Sequence, residues 1–357
     1  MLTLGIETSC DETSVSVTDG RKVFSNIVSS SVHLHKRYGG VVPEIASRFH
    51  VEYIIEVLSK ALEDSRKRLE DINLVAVTNG PGLIGALLTG ISLAKSISYS
   101  LGRPLIGVNH ILAHLYSSFL NEEDRPEFPF IGLVVSGGHT TLFFCEGIGH
   151  ERILGSTQDD AVGEAYDKVA KILGLGYPGG PVIDRLAKRA KAGTVISFPK
   201  SYLGKDSLDF SFSGIKTAVL YYVQRIAYSV ERKKNIKHNT QYTIHNTSLS
   251  QPAVNDICCA FQEAALDALV EKVIRAAELT GSKRVVIGGG VAANSRLREK
   301  MRELAAFSSM KIHFPELKYC MDNAAMIGYL GETLYKKGRR SDLYLSAEPN
   351  LEVTNVK

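Results

Sequence analysis

Leu4-Gly5-Ile6-Glu7-Thr8-Ser9-Cys10-Asp11-Glu12-Thr13-Ser14-Val15 is answered later in the chain by Ile131-Gly132-Leu133-Val134-Val135-Ser136-Gly137-Gly138-His139-Thr140-Thr141-Leu142. Gly5 aligns with Gly132, Ser9 with Ser136 and Thr13 with Thr140. Farther on, Asp19-Gly20 aligns with Glu146-Gly147. Both windows read as strand, short polar loop, strand, turn, strand. A second echo sets Tyr38-Gly39-Gly40 and Pro43 beside Tyr177, Gly179-Gly180 and Pro181, each ahead of an amphipathic helical stretch at 44–62 and 182–191. A third sets Val75-Ala76-Val77-Thr78-Asn79-Gly80 beside Val285-Val286-Ile287-Gly288-Gly289-Gly290, an apolar β-branched strand running into a Gly loop and a helix. Three echoes in one order predict an α/β protein of two related halves with mixed sheets, 1–125 and 126–357. The proline- and charge-rich stretch 121–129 reads as the crossing between them.

Length and composition agree. At about 150 residues per domain, 357 residues make two domains. With 44% hydrophobic and 22% charged residues, a disordered or fibrous chain is excluded. Forty-two Lys and Arg against 38 Asp and Glu leave a net charge of +4, so any nucleic-acid surface must be a local basic patch. Lys36, Arg37 and Arg48 around the Tyr38 turn are the candidates. Five cysteines form no CxxC pair, which argues against a disulfide framework or a cysteine zinc finger and for a reducing compartment. The N-terminus begins like a strand rather than a basic leader. The apolar stretch 84–101 is broken by Lys95 and by Ser and Gly residues. A cytoplasmic protein without a membrane span is expected. The polar tract 229–251 reads as an inserted mobile loop.

The chemistry-bearing residues sit at the ends of the echoed strands. Turns rich in Ser, Thr and Gly at 9–13 and 136–140 can turn backbone N–H groups toward phosphate or carboxylate oxygens, and Gly137-Gly138 admits close approach. Two such turns at equivalent points favour a shared cleft for a nucleotide's phosphates. Gly288–Gly290 followed by Asn294 places glycines between a buried strand and a helix start that favours an anion or adenosine moiety. The pattern is neither GxGxxG nor Walker A, which argues against a Rossmann site or a P-loop. His110 and His114 at i, i+4 share a helical face and can grip one metal ion, and Asp322, at an expected helix start, is the best third ligand. Ile111 stands where a zinc protease HExxH motif has its Glu. Asp167 and Asp184 fall on predicted helices and are candidates for sugar hydroxyls or another polar group. Asp209–Thr217 mixes aromatics, Ser and Lys without a role fixed by its physics. A sugar kinase of two-half architecture is disfavoured, because the second phosphate turn carries no acid.

Taken together, the segments 5–13, 38–44, 79–82, 110–114, 135–140, 176–181, 210–214 and 288–294 resemble the TsaD family, the tRNA N6-adenosine threonylcarbamoyltransferases once labelled glycoproteases or O-sialoglycoprotein endopeptidases. The resemblance covers nearly the whole chain. The tract near 229–251 is longer than the family usually carries, and Asn323-Ala324-Ala325 stands where Asn-Gly-Ala is common.

The resemblance implies a duplicated actin/Hsp70/sugar-kinase (ASKHA) fold with a central nucleotide cleft. It implies transfer of the threonylcarbamoyl group from threonylcarbamoyl-AMP, made by a partner synthase, to N6 of adenosine 37 in tRNAs reading codons that begin with A. It also implies one iron(II) or zinc ion on His110, His114 and Asp322. A donor pocket is implied at Val134, Val135, Ser136, Gly137, Gly138, Asp167, Gly180, Asp184 and Asn294. Asp11 is a matching acid whose loss the resemblance implies to be damaging, and we assign it the catalytic role of steering the attacking amine or an associated water. The expected partners are tRNA, a smaller paralogue of the same fold and a P-loop ATPase, of the TsaB and TsaE types. A metal-dependent protease, the old label, is the alternative, and a noncatalytic scaffold relative is a third reading, disfavoured because both histidines are kept.

Overall fold

The computed structural model describes residues 1–121, 123–191, 196–200, 203–204, 206–234 and 249–353. Two five-stranded mixed sheets carry the fold. The first is built from β1 (Leu2–Glu7), β2 (Glu12–Asp19), β3 (Lys22–Ser30), β4 (Leu74–Gly80) and β5 (Leu105–Asn109), in the order β3-β2-β1-β4-β5. The second is built from β6 (Phe130–Val135), β7 (Thr140–Gly147), β8 (His150–Ser156), β9 (Arg284–Gly288) and β10 (Lys311–His313), in the order β10-β9-β6-β7-β8. Read from the other edge, the second order is the first repeated. In both, an antiparallel three-strand meander is extended by two parallel strands. The first and third echoes therefore fall on equivalent strands, β1 with β6 and β4 with β9.

The second echo differs. Helix α2 (Pro43–Ser65) packs directly on β2 and β3, whereas α6 (Gly179–Ala187) packs mainly on α5 (Val162–Ile172) and α8 (Gln251–Thr280). In the second half α8 holds the place before β9 that α2 holds before β4. The polar tract 229–251, read as a mobile loop, is helical at its described ends. Helix α7 (Ser213–Lys234) extends into it, α8 closes it, and 235–248 lie outside the described residues. The apolar stretch 84–101 is helix α3 (Ile84–Leu101). It is long and apolar enough to cross a membrane, yet Leu87, Ile91, Ala94 and Ile97 are buried in the core of the first sheet.

Two short-range features cross between the halves. Helix α4 (His110–Tyr116) follows β5 but packs on β6 and β9, and Leu115 fills the space that a side chain at Gly132 would take. Helix α10 (Ala324–Lys336) follows β10 but packs on β1, β2 and β4, where Gly5 leaves room for the Ala324 carbonyl and the Gly328 backbone. The repeated glycine of the first echo is thus a pair of seats for helices lent by the opposite half. A side chain at either would force helix and sheet apart. The shared layer buries Ala76 and Val108 of the first sheet with Val134 and Val286 of the second, around Ala113, Leu115, Met326 and Leu330.

Candidate functional site

The crossing helices bring the candidate ligands together. Asn109 caps α4, its Oδ1 accepting from the Ile111 and Leu112 N–H groups at 2.9 and 3.1 Å, which fixes His110 as the first helical residue. Asn323 caps α10 in the same way, accepting from Met326 N–H at 3.1 Å, and so fixes Asp322 just ahead of that helix. His114 Nε2 lies 2.9 Å from Asp322 Oδ1 and His110 Nε2 lies 3.6 Å from it. One ligand atom from each of the three side chains falls within 4.8 Å of the others.

Glu7, which carried no assignment from the sequence, stands behind this group. It is fully buried, with Oε2 3.1 Å from His110 Nδ1 and 2.5 Å from the donating Thr78 hydroxyl, while Oε1 accepts the Ser9 N–H at 2.5 Å. Ser9 Oγ is also 3.1 Å from His110 Nδ1. With Nδ1 held by a carboxylate, Nε2 is the nitrogen left to face Asp322. Burial acts to discharge the His110 imidazole, but Glu7 and Asp322 outweigh it and raise its pKa to about 9. Burial likewise opposes ionisation of Asp322 and Glu7. The histidines outweigh it, holding Asp322 at about 2 and Glu7 below the usual carboxylate range. One fully buried carboxylate and one partly exposed one flank the two imidazoles, and a divalent iron or zinc ion suits a donor set of two nitrogens and one oxygen. The residues present fit such an ion. Replacing Glu7 by Gln should lower metal affinity about 10- to 100-fold, the usual cost of losing a group that orients a ligand histidine. Chelator competition measures this, and an unchanged affinity would remove Glu7 from the site.

The second loop lies beside this group. Ser136 N–H donates to the His139 carbonyl at 2.8 Å, and His139 N–H donates to Ser136 Oγ at 3.1 Å. This tight turn leaves Gly137 and Gly138 exposed. Neither has a left-handed backbone, and a Cβ on either would meet nothing within 4 Å. Their contribution is open space rather than special backbone geometry. Val134 and Val135 are buried in the core, so only their backbone can meet a ligand. His139, quoted in the motif but given no role, is held neutral. Burial and then the His110 and His114 imidazoles bring its pKa down to about 4.

Hydrogen bonds run from this loop into the second half. The Ser136 carbonyl accepts from Gly163 N–H at 3.2 Å, at the start of α5. Farther along α5, Asp167 Oδ1 accepts from Gly179 N–H at 2.7 Å, at the start of α6, and Gly180 next to it offers open space. On α6, Asp184 accepts from the Ser295 hydroxyl at 2.9 Å. Ser295 begins α9 (Ser295–Phe307), which Asn294 caps through its Oδ1 at 2.9 Å from Leu297 N. The Asn294 amide donates to Gln262 at 2.8 Å, so its side chain is already engaged. Burial, Asp11 and Glu164 together raise Asp167 to about 6, against the Gly179 N–H that lowers it. Asp11, buried on the first loop, also helps to raise the Tyr177 hydroxyl, after burial itself. The first loop therefore faces α5 and the Tyr177 turn across the cleft. A cavity of about 480 Å³ lies elsewhere, lined by Arg125, Lys283, Arg284 and Lys311 at the opposite end of the second sheet. No candidate residue borders it.

Comparison with known proteins bears on the family and the fold. Residues 22–329 match the family model described as TsaD, tRNA N6-adenosine threonylcarbamoyltransferase. A relative of that name from Dictyoglomus turgidum is 50% identical, with 98% of each chain covered. Another, from Thermodesulfovibrio yellowstonii, is 48% identical, covering 98% of this chain and 99% of the relative. Among solved structures, full-length HypF in its phosphate- and nucleotide-bound form aligns with a TM-score of 0.59 at 13% identity, over 94% of this chain and 55% of HypF. The activator of 2-hydroxyisocaproyl-CoA dehydratase from Clostridium difficile aligns with a TM-score of 0.50 at 17% identity, over 95% and 97%. These likenesses show the fold, the duplicated actin/Hsp70/sugar-kinase architecture. With the matched family model, and near-half identity over almost the full length of its relatives, the chain belongs to the TsaD family of tRNA N6-adenosine threonylcarbamoyltransferases.

Proposed function

We propose that the cleft holds threonylcarbamoyl-adenylate on the 136–140 turn and the α5–α6 carboxylates, with an iron(II) or zinc ion on His110, His114 and Asp322. The chain is a tRNA-modifying transferase that forms N6-threonylcarbamoyladenosine. The observation that carries the reading of the site is the meeting of α4 and α10. Each comes from one half of the chain, and their meeting brings three candidate ligand side chains within 4.8 Å of one another, near enough to His139 of the Ser136–Thr140 turn to act on its charge.

The reaction joins N6 of the tRNA adenosine to the carbamoyl carbon and breaks that carbon's bond to a phosphate oxygen of the adenylate. AMP leaves with the bonding electrons, and the amine proton passes to a base or water. The donor is a mixed anhydride already activated, so no Ser, Cys or Lys nucleophile is needed, and the protein's task is positioning and charge relief. A bound divalent ion supplies Lewis-acid polarisation of the donor carbonyl. Open space at Gly137 and Gly138 admits the donor's phosphate to the backbone, and Asp184 offers acceptor oxygens to a ribose. Asp11 steers the incoming amine or its water from the opposite wall.

The protease alternative is not favoured. A zinc protease needs a carboxylate free to activate water. Glu7, the acid nearest His110, spends both oxygens on Ser9, Thr78 and His110, and Ile111 fills the motif position of the missing glutamate.

For tRNA, Arg48 is a weaker contact than its sequence position suggests. Its guanidinium meets Glu44 at 3.0 Å in an exposed i, i+4 pair. Arg37 stacks on the Tyr38 ring at 4.7 Å and Lys36 precedes it. Reversing Lys36 and Arg37 to Glu should weaken tRNA binding. It should also flatten the salt dependence by about 0.7 to 0.9 in log–log slope per lost phosphate contact. Titration at several salt concentrations decides this, and an unaltered slope would place tRNA elsewhere. The smaller paralogue and the P-loop ATPase remain the proposed protein partners. An exposed apolar face at Val51 and Ile55 on α2 and Ile84 and Leu88 on α3 supports a protein contact. A cytoplasmic location is supported by free Cys10, Cys145, Cys258, Cys259 and Cys320.

Mass spectrometry of tRNA nucleosides, after mixing the chain and its partners with the adenylate donor and unmodified tRNA, tests the activity. Absence of the modified nucleoside in the complete mixture would refute it.

A further inference from the structure

The Asn79-Gly80-Pro81-Gly82 turn ends β4 but contributes no ligand to the site described above. Its contacts lie instead with the C-terminal residues of the chain. The segment after α10 first covers the edge of β5, where Ser341 N–H donates to the Leu105 carbonyl at 3.0 Å and Gly107 N–H to Ser341 Oγ at 3.0 Å. Leu345 then packs over Gly107. Beyond it the segment crosses the ends of β4 and β5. Glu348 N–H donates to the Asn79 carbonyl at 2.8 Å, and Gly82 N–H donates to the Pro349 carbonyl at 3.0 Å. The Asn109 side-chain amide points at the Leu351 carbonyl at 3.5 Å. Gly80 has no room for a side chain, because a Cβ there would overlap the Glu348 carbonyl and the Leu351 side chain.

Three of the residues that this strap grips, Asn79, Asn109 and Gly82, lie next to or against groups that orient His110. Asn79 follows Thr78, whose hydroxyl holds Glu7. Asn109 precedes His110 and caps its helix. Gly82 lies against Ser9, and Leu83 N–H donates to the Ser9 carbonyl at 2.8 Å, so the turn also fixes the loop that contacts His110 Nδ1.

We propose that the C-terminal strap, seated on Gly80 through Glu348 and Leu351, is a positioning element for the metal centre: it clamps the Asn79–Gly82 turn and Asn109 so that Glu7 and His110 keep the orientation that binds the ion. Outer groups of this kind act by limiting how far a ligand can swing. The proposal rests on the metal reading of His110, His114 and Asp322.

Two full-length variants test it. Gly80→Ala places a methyl group where the strap sits. Glu348→Pro removes the N–H that binds Asn79 and changes nothing inside the site. Metal-stripped protein is titrated with zinc against a chromophoric chelator, and with cobalt(II) to read ligand geometry from its visible spectrum. The melting temperature is followed alongside. Both variants are expected to lose about 10- to 100-fold in metal affinity and to show an altered cobalt spectrum while remaining folded. Unchanged affinity and spectrum in either folded variant would overturn the proposal. So would failure of both to fold, which would make the strap a clamp for the fold alone. If the unaltered chain binds no metal, the metal reading itself falls. Binding by the unaltered chain and by both variants alike removes only the strap.

Discussion

Replacing His110 by alanine is expected to abolish stoichiometric metal binding and transfer activity together while leaving a folded protein. The imidazole is one of the three proposed ligand side chains, and its removal leaves His114 on α4 and Asp322 in the turn ahead of α10 to hold the ion. Lewis-acid stabilisation of a developing oxyanion is worth several kcal/mol, so activity should fall on the order of 10³-fold. The fold should survive because the layer around Leu115, Ala113 and Met326 does not depend on the imidazole. The loss also leaves Glu7 buried without its imidazole partner, a cost that a small fall in melting temperature would register. Metal analysis by mass spectrometry and the nucleoside assay, run on the same preparation, check the result. Full activity in a metal-free variant would sink the Lewis-acid role.

Changing Gly137 to Val should weaken binding of the adenylate donor by about 100-fold or more with little effect on stability. The residue is exposed and a Cβ there would meet no protein atom within 4 Å, so the folded chain has open space where the side chain starts. In the proposed site the same open space takes the donor's phosphate against the Ser136–Gly138 backbone, and two branched methyl groups would occupy it. The contrast is with Gly163, where a Cβ would press into the Ser136 carbonyl and move the turn itself. Calorimetric titration with a nonhydrolysable adenylate analogue separates the two effects. An unchanged dissociation constant would make the 136–140 turn an ordinary hairpin loop.

Much of this molecule is legible in its sequence. The paired strands β4 and β9 announce themselves by β-branched runs, and the Ser9–Thr13 and Ser136–Thr140 turns repeat at equivalent points because the same meander is built twice. Asn294 reads as the leader of a helix and caps it, whereas the caps at Asn109 and Asn323 are seen only in the structure. The i, i+4 spacing placed His110 and His114 on one face, and the position of Asp322 before a helix made it the third candidate.

Other features depended on tertiary structure because they are made by residues far apart in the chain. Glu7 reads as the polar end of a buried strand until α4 brings His110 against it, 103 positions away. The glycines at 5 and 132 read as parts of a repeat. Only the packing shows that each seats a helix from the opposite half, and that this exchange sets Asp322 beside His114, 208 positions on. The second echo was carried by a turn pattern, yet the helices behind it pack differently, since α6 rests on α5 and α8 rather than on a sheet. Periodicity and capping are local and are written in neighbouring residues. Which buried carboxylate meets which imidazole depends on how closely two helices can approach the sheets of their opposite halves. That distance is set by the absence of side chains at Gly5 and by the fit of Leu115 over Gly132.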